Sequence, residues 1–171
     1  MNSTKTNIIL IGMPGSGKST VGVILAKQLK MQFLDTDILI QNHTNKTLQE
    51  IVNNEGHMAL RLTEEKVLLS IQCQNHIIAT GGSAAYSASA MNHLRSGGTV
   101  IFLHTELSAL QARIDNYETR GLAKRPDQTL LDLFDERRVL YERFADITVE
   151  STEFTQDQVC YDIEKQLQKY S

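Results

Sequence analysis
A chain of 171 residues, 41% of them apolar and 22% charged, can close one full-sized core, which excludes a disordered chain. A net charge of −3 with no basic block argues against a nucleic-acid surface, and no apolar run approaches the length of a membrane span. Residues 1–7 carry no signal-peptide pattern, and the two cysteines, Cys73 and Cys160, match no metal spacing, so a cytoplasmic protein with reduced thiols is expected.

In chain order, the first element is the apolar run Ile8-Ile9-Leu10-Ile11, read as a strand. It runs into Gly12-Met13-Pro14-Gly15-Ser16-Gly17-Lys18-Ser19-Thr20, and Val21, Ile24, Leu25 and Leu29 then recur at helical spacing. Strand, glycine loop and helix with G-x-x-x-x-G-K-S at the junction form a P-loop. Glycines let the backbone curl so that successive N–H groups of Gly12, Gly15, Ser16 and Gly17 face an anion, and the following helix adds its positive end. Lys18 is expected to reach the outer phosphates of a nucleotide. The Ser19 hydroxyl is expected to ligate Mg²⁺, with Thr20 beside it at the nucleotide.

Four more short apolar runs read as strands: Gln32-Phe33-Leu34, His76-Ile77-Ile78-Ala79, Thr99-Val100-Ile101-Phe102-Leu103 and Ile147-Thr148-Val149. Amphipathic stretches separate them, which predicts an α/β fold with a parallel sheet covered by helices on both faces. Thr47-Leu48-Gln49-Glu50 and Thr155-Gln156-Asp157-Gln158 each read as a capping box opening a helix. One domain is expected over residues 1–171.

Ligands of open α/β sheets gather at the carboxyl ends of the strands. The P-loop follows the first strand, Asp35-Thr36-Asp37 the second, and Thr80-Gly81-Gly82-Ser83 the third. Asp35 and Asp37 alternate, so in extended chain they point the same way. One carboxylate is expected to hold Mg²⁺ with Ser19, and the other to bind and polarise a substrate hydroxyl. The competing reading makes Asp37 a helix N-cap before Ile38. The strand ending in His104 lacks the acidic residue of large ATPases, and Asn45-Lys46-Thr47 lacks the Asp of a guanine-reading motif. A small P-loop kinase fits better.

Three arginines stand out. Arg137 lies on the stripe Leu130, Phe134, Arg137, Tyr141, where an inward charge needs a partner: a substrate carboxylate or an internal acid. Arg61 has Glu64 and Glu65 three and four residues on. These make either a surface ion pair or a support that aims Arg61 at an anionic ligand. Arg125 sits in a glycine- and proline-punctuated cationic stretch read as a lid over residues 117–127, with a solvated basic loop as the alternative.

Taken together, the P-loop, Asp35-Thr36-Asp37, Leu60-Arg61 followed by Glu64, Ala79-Thr80-Gly81-Gly82, Arg125-Pro126 and Arg137 four residues before Tyr141 resemble the shikimate kinase family nearly end to end. The resemblance implies a three-layer P-loop kinase fold with a five-stranded parallel sheet ordered 2-3-1-4-5, substrate-binding helices over about 37–73, and a lid. It implies transfer of the ATP γ-phosphoryl group to the 3-hydroxyl of shikimate, with Mg²⁺ as cofactor. Asp37, Arg61, Gly81, Gly82, Ser83 and Arg137 match the positions around shikimate, the two arginines facing its carboxylate. Lys18 and Arg125 match the phosphate-stabilising groups, with Arg120 as the alternative lid cation, and Arg113 matches a position near adenine. A monomer binding ATP and a small hydroxylated carboxylic acid is expected.

The chain departs from the family pattern at Ser83, where a third glycine is usual, at Leu60 for a phenylalanine, and at Val139 for a proline. Two rival readings are a related kinase for another small hydroxylated metabolite and a nucleotide-binding module without catalysis.

Overall fold
A computed structural model describes residues 5–113 and 121–170 of the protein. The chain alternates strand and helix as the sequence predicts: β1 (Asn7–Ile11), α1 (Lys18–Leu29), β2 (Gln32–Asp35), α2 (Thr36–Thr44), α3 (Leu48–Glu55), α4 (His57–Ser70) and β3 (His76–Ala79). A 3₁₀ turn (Ala84–Tyr86) follows, then α5 (Ala88–Gly97), β4 (Gly98–His104), α6 (Leu107–Arg113), α7 (Leu130–Phe144), β5 (Ile147–Glu150) and α8 (Gln156–Tyr170).

All four strand pairings are parallel and the order is β2-β3-β1-β4-β5. Alternation along the central strands sorts the core into two layers. Ile9, Ile11, Ile78, Val100 and Phe102 pack with α5, α7 and Leu68 of α4. Ile8, Leu10, Ile77, Ile101 and Leu103 pack with α1 and α8 through Val21, Leu25, Val159 and Ile163. A third, smaller cluster joins Ile40, Ile51, Leu60 and Val67 of α2, α3 and α4 to Ala123. It lies beside the sheet rather than on it and carries the helices expected to bind substrate.

Helix starts are fixed by side-chain caps. Thr47 and Glu50 form a reciprocal box at α3. At α8 the Thr155 N–H donates to Gln158 Oε1 at 2.9 Å, and the Gln158 N–H donates to Thr155 Oγ1 at 3.3 Å. A third box, Thr129 with Asp132, opens α7 and holds Arg137 at a fixed height on that helix. The cap of α2 is Asp35, whose side chain accepts from the N–H groups of Asp37 and Ile38. Asp37 is therefore not the cap. The chain is also no longer extended at Asp37: β2 ends at Asp35, and Asp37 lies in the first turn of α2. The two carboxylates arrive from a strand end and a helix start, not from alternate positions of one strand.

Candidate active site
The carboxyl ends of β1, β2 and β3 open into one hollow of about 570 Å³. Pro14, Gly15, Gly17, Lys18, Ser19 and Thr20 of the P-loop line it, with Asp37 and Glu64, then Gly81, Gly82 and Ser83, then Arg113 and Arg137. The sheet order brings these segments together, since β3 and β1 are neighbours and β2 lies next to β3.

The P-loop has the conformation of an anion nest. Gly15 and Gly17 sit at φ 85° and 91°, in the left-handed region that a side chain disfavours. α1 begins at Lys18, so its N-terminal N–H groups face the loop's interior. Lys18 Nζ donates to the carbonyls of Gly12 (2.7 Å) and Met13 (2.8 Å) and to Ser16 Oγ (3.5 Å). Burial pulls its pKa down to about 8, against the upward pull of Asp37 and other acids. Ser19 Oγ donates to Asp35 Oδ2 at 2.6 Å. This pairs a hydroxyl and a carboxylate at the mouth of the nest, the hard oxygen donor set that Mg²⁺ selects.

Asp37 is half-buried. Desolvation, reinforced by Asp35, raises its pKa to about 6 despite Lys18 nearby. Glu64, reached from α4, is fully buried, and burial raises it to about 7. Its Oε2 accepts from the Ser83 hydroxyl, and its Oε1 lacks a partner. Gly81 is where these carboxyls meet the third loop: a Cβ there would lie 2.7 Å from Asp37 Oδ1 and closer still to Glu64 Oε1. Its N–H donates to Thr36 Oγ1 at 3.1 Å. Gly82 makes a similar close approach, with Arg137 Nη1 2.6 Å and Pro14 Cδ 2.7 Å from the Cβ position. Arg137 and Pro14 of the P-loop thus crowd the same glycine.

Arg137 is 1% exposed. Its Nη2 donates to the Ala123 carbonyl at 3.1 Å and its Nε has no partner. Arg61 Nη2 donates to the same carbonyl at 3.2 Å, and its Nε is also unpartnered. Arg61 lines a smaller adjoining cavity that shares Glu64 and Ser83 with the main hollow. The ion pair across one turn of α4 is not made: Glu64 goes to Ser83, while Arg61 lies 4.0 Å from Glu136 of α7. Buried Arg137 and partly exposed Arg61 converge on one carbonyl, each with an N–H to spare, a donor set whose chemistry suits an anion.

Arg113, at the end of α6, donates to the carbonyls of Ser151 (3.1 Å) and Thr152 (2.8 Å) and forms the far wall of the hollow. Arg125 is not brought in. Its Nη1 pairs with Glu136 Oε2 at 3.3 Å, its side chain is 51% exposed, and it does not line the hollow. Arg120 and the first part of the expected lid, up to residue 120, lie outside the described residues. The rest of that segment contributes Gly121, Leu122 and Ala123 to the lining.

Sequence reasoning passed over three residues of this region. Glu64 was legible only as a neighbour of Arg61. Tyr141 donates its hydroxyl to Gly82 O at 2.5 Å, pinning the glycine loop to α7; its place on the inward stripe of α7 and in the family pattern marks the residue but not this bond. Tyr86 stacks under Arg61, and no sequence signal marks it.

Comparison with known proteins places the chain among its relatives. A family model described as shikimate kinase matches residues 14–168. Shikimate kinase of Haemophilus influenzae is 39% identical over 153 residues, 87% of this chain and 85% of that one. Shikimate kinase of Rippkaea orientalis is 42% identical over 146 residues, 84% of this chain and 77% of that one. Among solved structures, shikimate kinase from Acinetobacter baumannii in complex with shikimate superimposes with a TM-score of 0.85 at 31% identity, covering 99% of this chain and 96% of that one. Thymidylate kinase of Candida albicans, at 16% identity and a TM-score of 0.57 over 96% of this chain and 92% of that one, shares the fold alone.

Proposed function
This chain belongs to the shikimate kinase family, and we propose that it transfers the γ-phosphoryl group of ATP to the 3-hydroxyl of shikimate, giving shikimate 3-phosphate and ADP. The observation that carries this reading is the hollow itself. A phosphate nest with Lys18 at its base opens onto Asp37 and the buried guanidinium of Arg137, while Arg61 of the adjoining cavity meets Arg137 on the Ala123 carbonyl, both arginines keeping unspent donors. A small molecule with both a hydroxyl and a carboxylate matches those groups.

In this reading the P-loop N–H groups and α1 hold the β- and γ-phosphates, and Arg113 borders the base. Lys18 exchanges its loop carbonyls for phosphate oxygens, which restores its full positive charge where charge develops. Ser19 and Asp35 would hold Mg²⁺, which neutralises phosphate charge when bound. Asp37 accepts the proton of the acceptor hydroxyl, and its raised pKa supports it as a base at neutral pH. Arg61 and Arg137 take the acceptor's carboxylate. Gly81 and Gly82 let the ring approach the backbone, and Ser83 with Glu64 closes the floor. The protein's share of catalysis is position and charge, since in-line phosphoryl transfer needs little covalent help.

The described residues contain no helix long and apolar enough to cross a membrane. Coupled ADP release, measured with ATP in the presence and absence of shikimate, tests the function. Release that depends on shikimate is expected. Release indifferent to shikimate, or none, overturns the assignment.

A further inference from the structure
Arg61 and Arg137 reach the Ala123 carbonyl from different helices, α4 and α7, so like charges are held together in a mostly buried place. One carbonyl oxygen does not offset two cations there. Glu136 lies 4.0 Å from Arg61, and the group that faces both cations is Tyr86, on the 3₁₀ turn that follows the Gly81-Gly82-Ser83 loop. The Arg61 guanidinium carbon lies 3.5 Å from the Tyr86 ring centroid, and that of Arg137 lies 5.6 Å from it. Both are within the reach of a cation–π attraction, which strengthens where water is excluded.

The ring is itself fixed. Its hydroxyl donates to Glu136 Oε1 at 2.5 Å, and the other oxygen of Glu136 accepts from Gln128 Nε2 at 3.0 Å and Arg125 Nη1 at 3.3 Å. Burial and the bond to Glu136 raise the Tyr86 pKa, so the phenol stays a donor. Arg125, which sequence reasoning sent to the phosphates, is spent on this anchor.

We propose that Tyr86, held by Glu136, is a positioning residue for acceptor recognition: its ring face sets the two guanidinium groups of Arg61 and Arg137 at the spacing that receives the acceptor's carboxylate. This rests on the reading of those arginines given above. Tyr86 touches neither the P-loop lysine nor Asp37, so the effect falls on binding of the acceptor and on its carboxylate in particular.

The test compares shikimate with its carboxamide analogue as acceptors, for the wild-type chain, Tyr86→Phe and Tyr86→Leu, at saturating ATP. The wild type is expected to favour the acid by at least about 30-fold in kcat/KM, as loss of a charge-paired group implies. Tyr86→Leu is expected to raise the KM for shikimate about tenfold, to leave kcat and the KM for ATP within about twofold, and to erase most of the preference for the acid. Tyr86→Phe keeps the ring face and loses its anchor, so it falls between the two. A wild type indifferent to the carboxylate overturns both the arginine reading and the proposal. A wild type that prefers the acid, with Tyr86→Leu unchanged in KM and preference, overturns the proposal alone. Should Tyr86→Leu not fold, Tyr86→Phe decides: a KM and a preference equal to the wild type overturn it.

Discussion

The hydroxyl of Ser83 donates to the carboxyl of Glu64 at the floor of the hollow, between α4 and the loop after β3. Ser83 is a departure from the family's usual glycine, yet it does not crowd the loop. Its φ is −98°, ordinary for a residue with a side chain, and the hydroxyl satisfies a buried oxygen that glycine would leave bare. The bond favours the ionised form of Glu64 against a burial that disfavours it. It also turns the free Oε1 toward Gly81 and Asp37.

Ser83→Ala therefore removes one charge-assisted hydrogen bond and leaves Oε2 buried without a donor. Such a loss is worth about 1–3 kcal/mol. The expected outcome is a KM for the acceptor raised by up to roughly 5- to 150-fold, with the KM for ATP unchanged. The acid limb of kcat/KM against pH moves upward, because Glu64 then ionises less readily. In a Glu64→Gln background the same substitution should leave the limb where it is. Steady-state kinetics from pH 5.5 to 8.5 on the two single variants and the double variant checks this.

Glu64 also gives stability a pH dependence whose sign can be worked out. Its folded-state pKa is about 7, against an ordinary value of 4.5. Between those values the folded chain binds more protons than the unfolded chain, so stability falls as pH rises through that window. Asp37, raised to about 6 from 3.8, acts in the same direction. Lys18, lowered to about 8 from 10.5, adds no pH dependence below about pH 8, where its penalty is constant, and a rise in stability above it as that penalty is relieved. The wild type should accordingly be less stable in urea at pH 7.5 than at pH 5. Glu64→Gln should recover roughly 2–3 kcal/mol of that difference while lowering activity, a gain obtained only because the native acid is held where the fold disfavours its charge.

Much of this arrangement was readable beforehand, for identifiable reasons. The β1–P-loop–α1 unit is local: glycine spacing, strand and helix lie within two dozen residues, and no distant contact is needed to recognise it. Strand order follows from parallel connections combined with the family likeness. Side-chain partners across the hollow were less legible. Glu64 sits one turn from Arg61, so helix spacing offers an ion pair, yet tertiary packing turns Glu64 to Ser83 and sends Arg61 to Tyr86 and Glu136. Asp37 had two local readings, cap or ligand. Asp35 decides between them by taking the cap itself, and nothing in the string Asp-Thr-Asp says which aspartate does so.

Lys18 and Asp37 line the same hollow, and the proposed transfer gives each one chemical task. Lys18→Met removes the cation that meets the γ-phosphate, and Asp37→Asn removes the base and keeps the shape. Each is expected to lower kcat by at least about 100-fold. The fold should survive both. Lys18→Met deletes a buried charge, and Asp37→Asn is nearly isosteric, so circular dichroism and a cooperative melt should be retained. Near-normal turnover in either variant would remove the basis for placing phosphoryl transfer here.

The lid cation can be assigned by a pair of substitutions. Arg125 has its guanidinium on Glu136, half exposed, with the anchored phenol of Tyr86 on the same carboxylate. To serve the phosphates it would have to leave that pair and travel into the hollow, which it does not line. An exposed ion pair is worth at most about 1 kcal/mol, so Arg125→Ala should change kcat by less than about threefold and raise the acceptor KM slightly through the loosened Glu136. Arg120 is the alternative phosphate-facing lid cation of the sequence reading. Arg120→Ala should lower kcat by about 100-fold or more, with little change in the KM for shikimate. Single-turnover measurement of phosphoryl transfer separates this from slow product release. The reverse pattern, with Arg125→Ala crippled and Arg120→Ala active, would mean that Arg125 abandons Glu136 when substrates bind, and would return the phosphate-facing role to it.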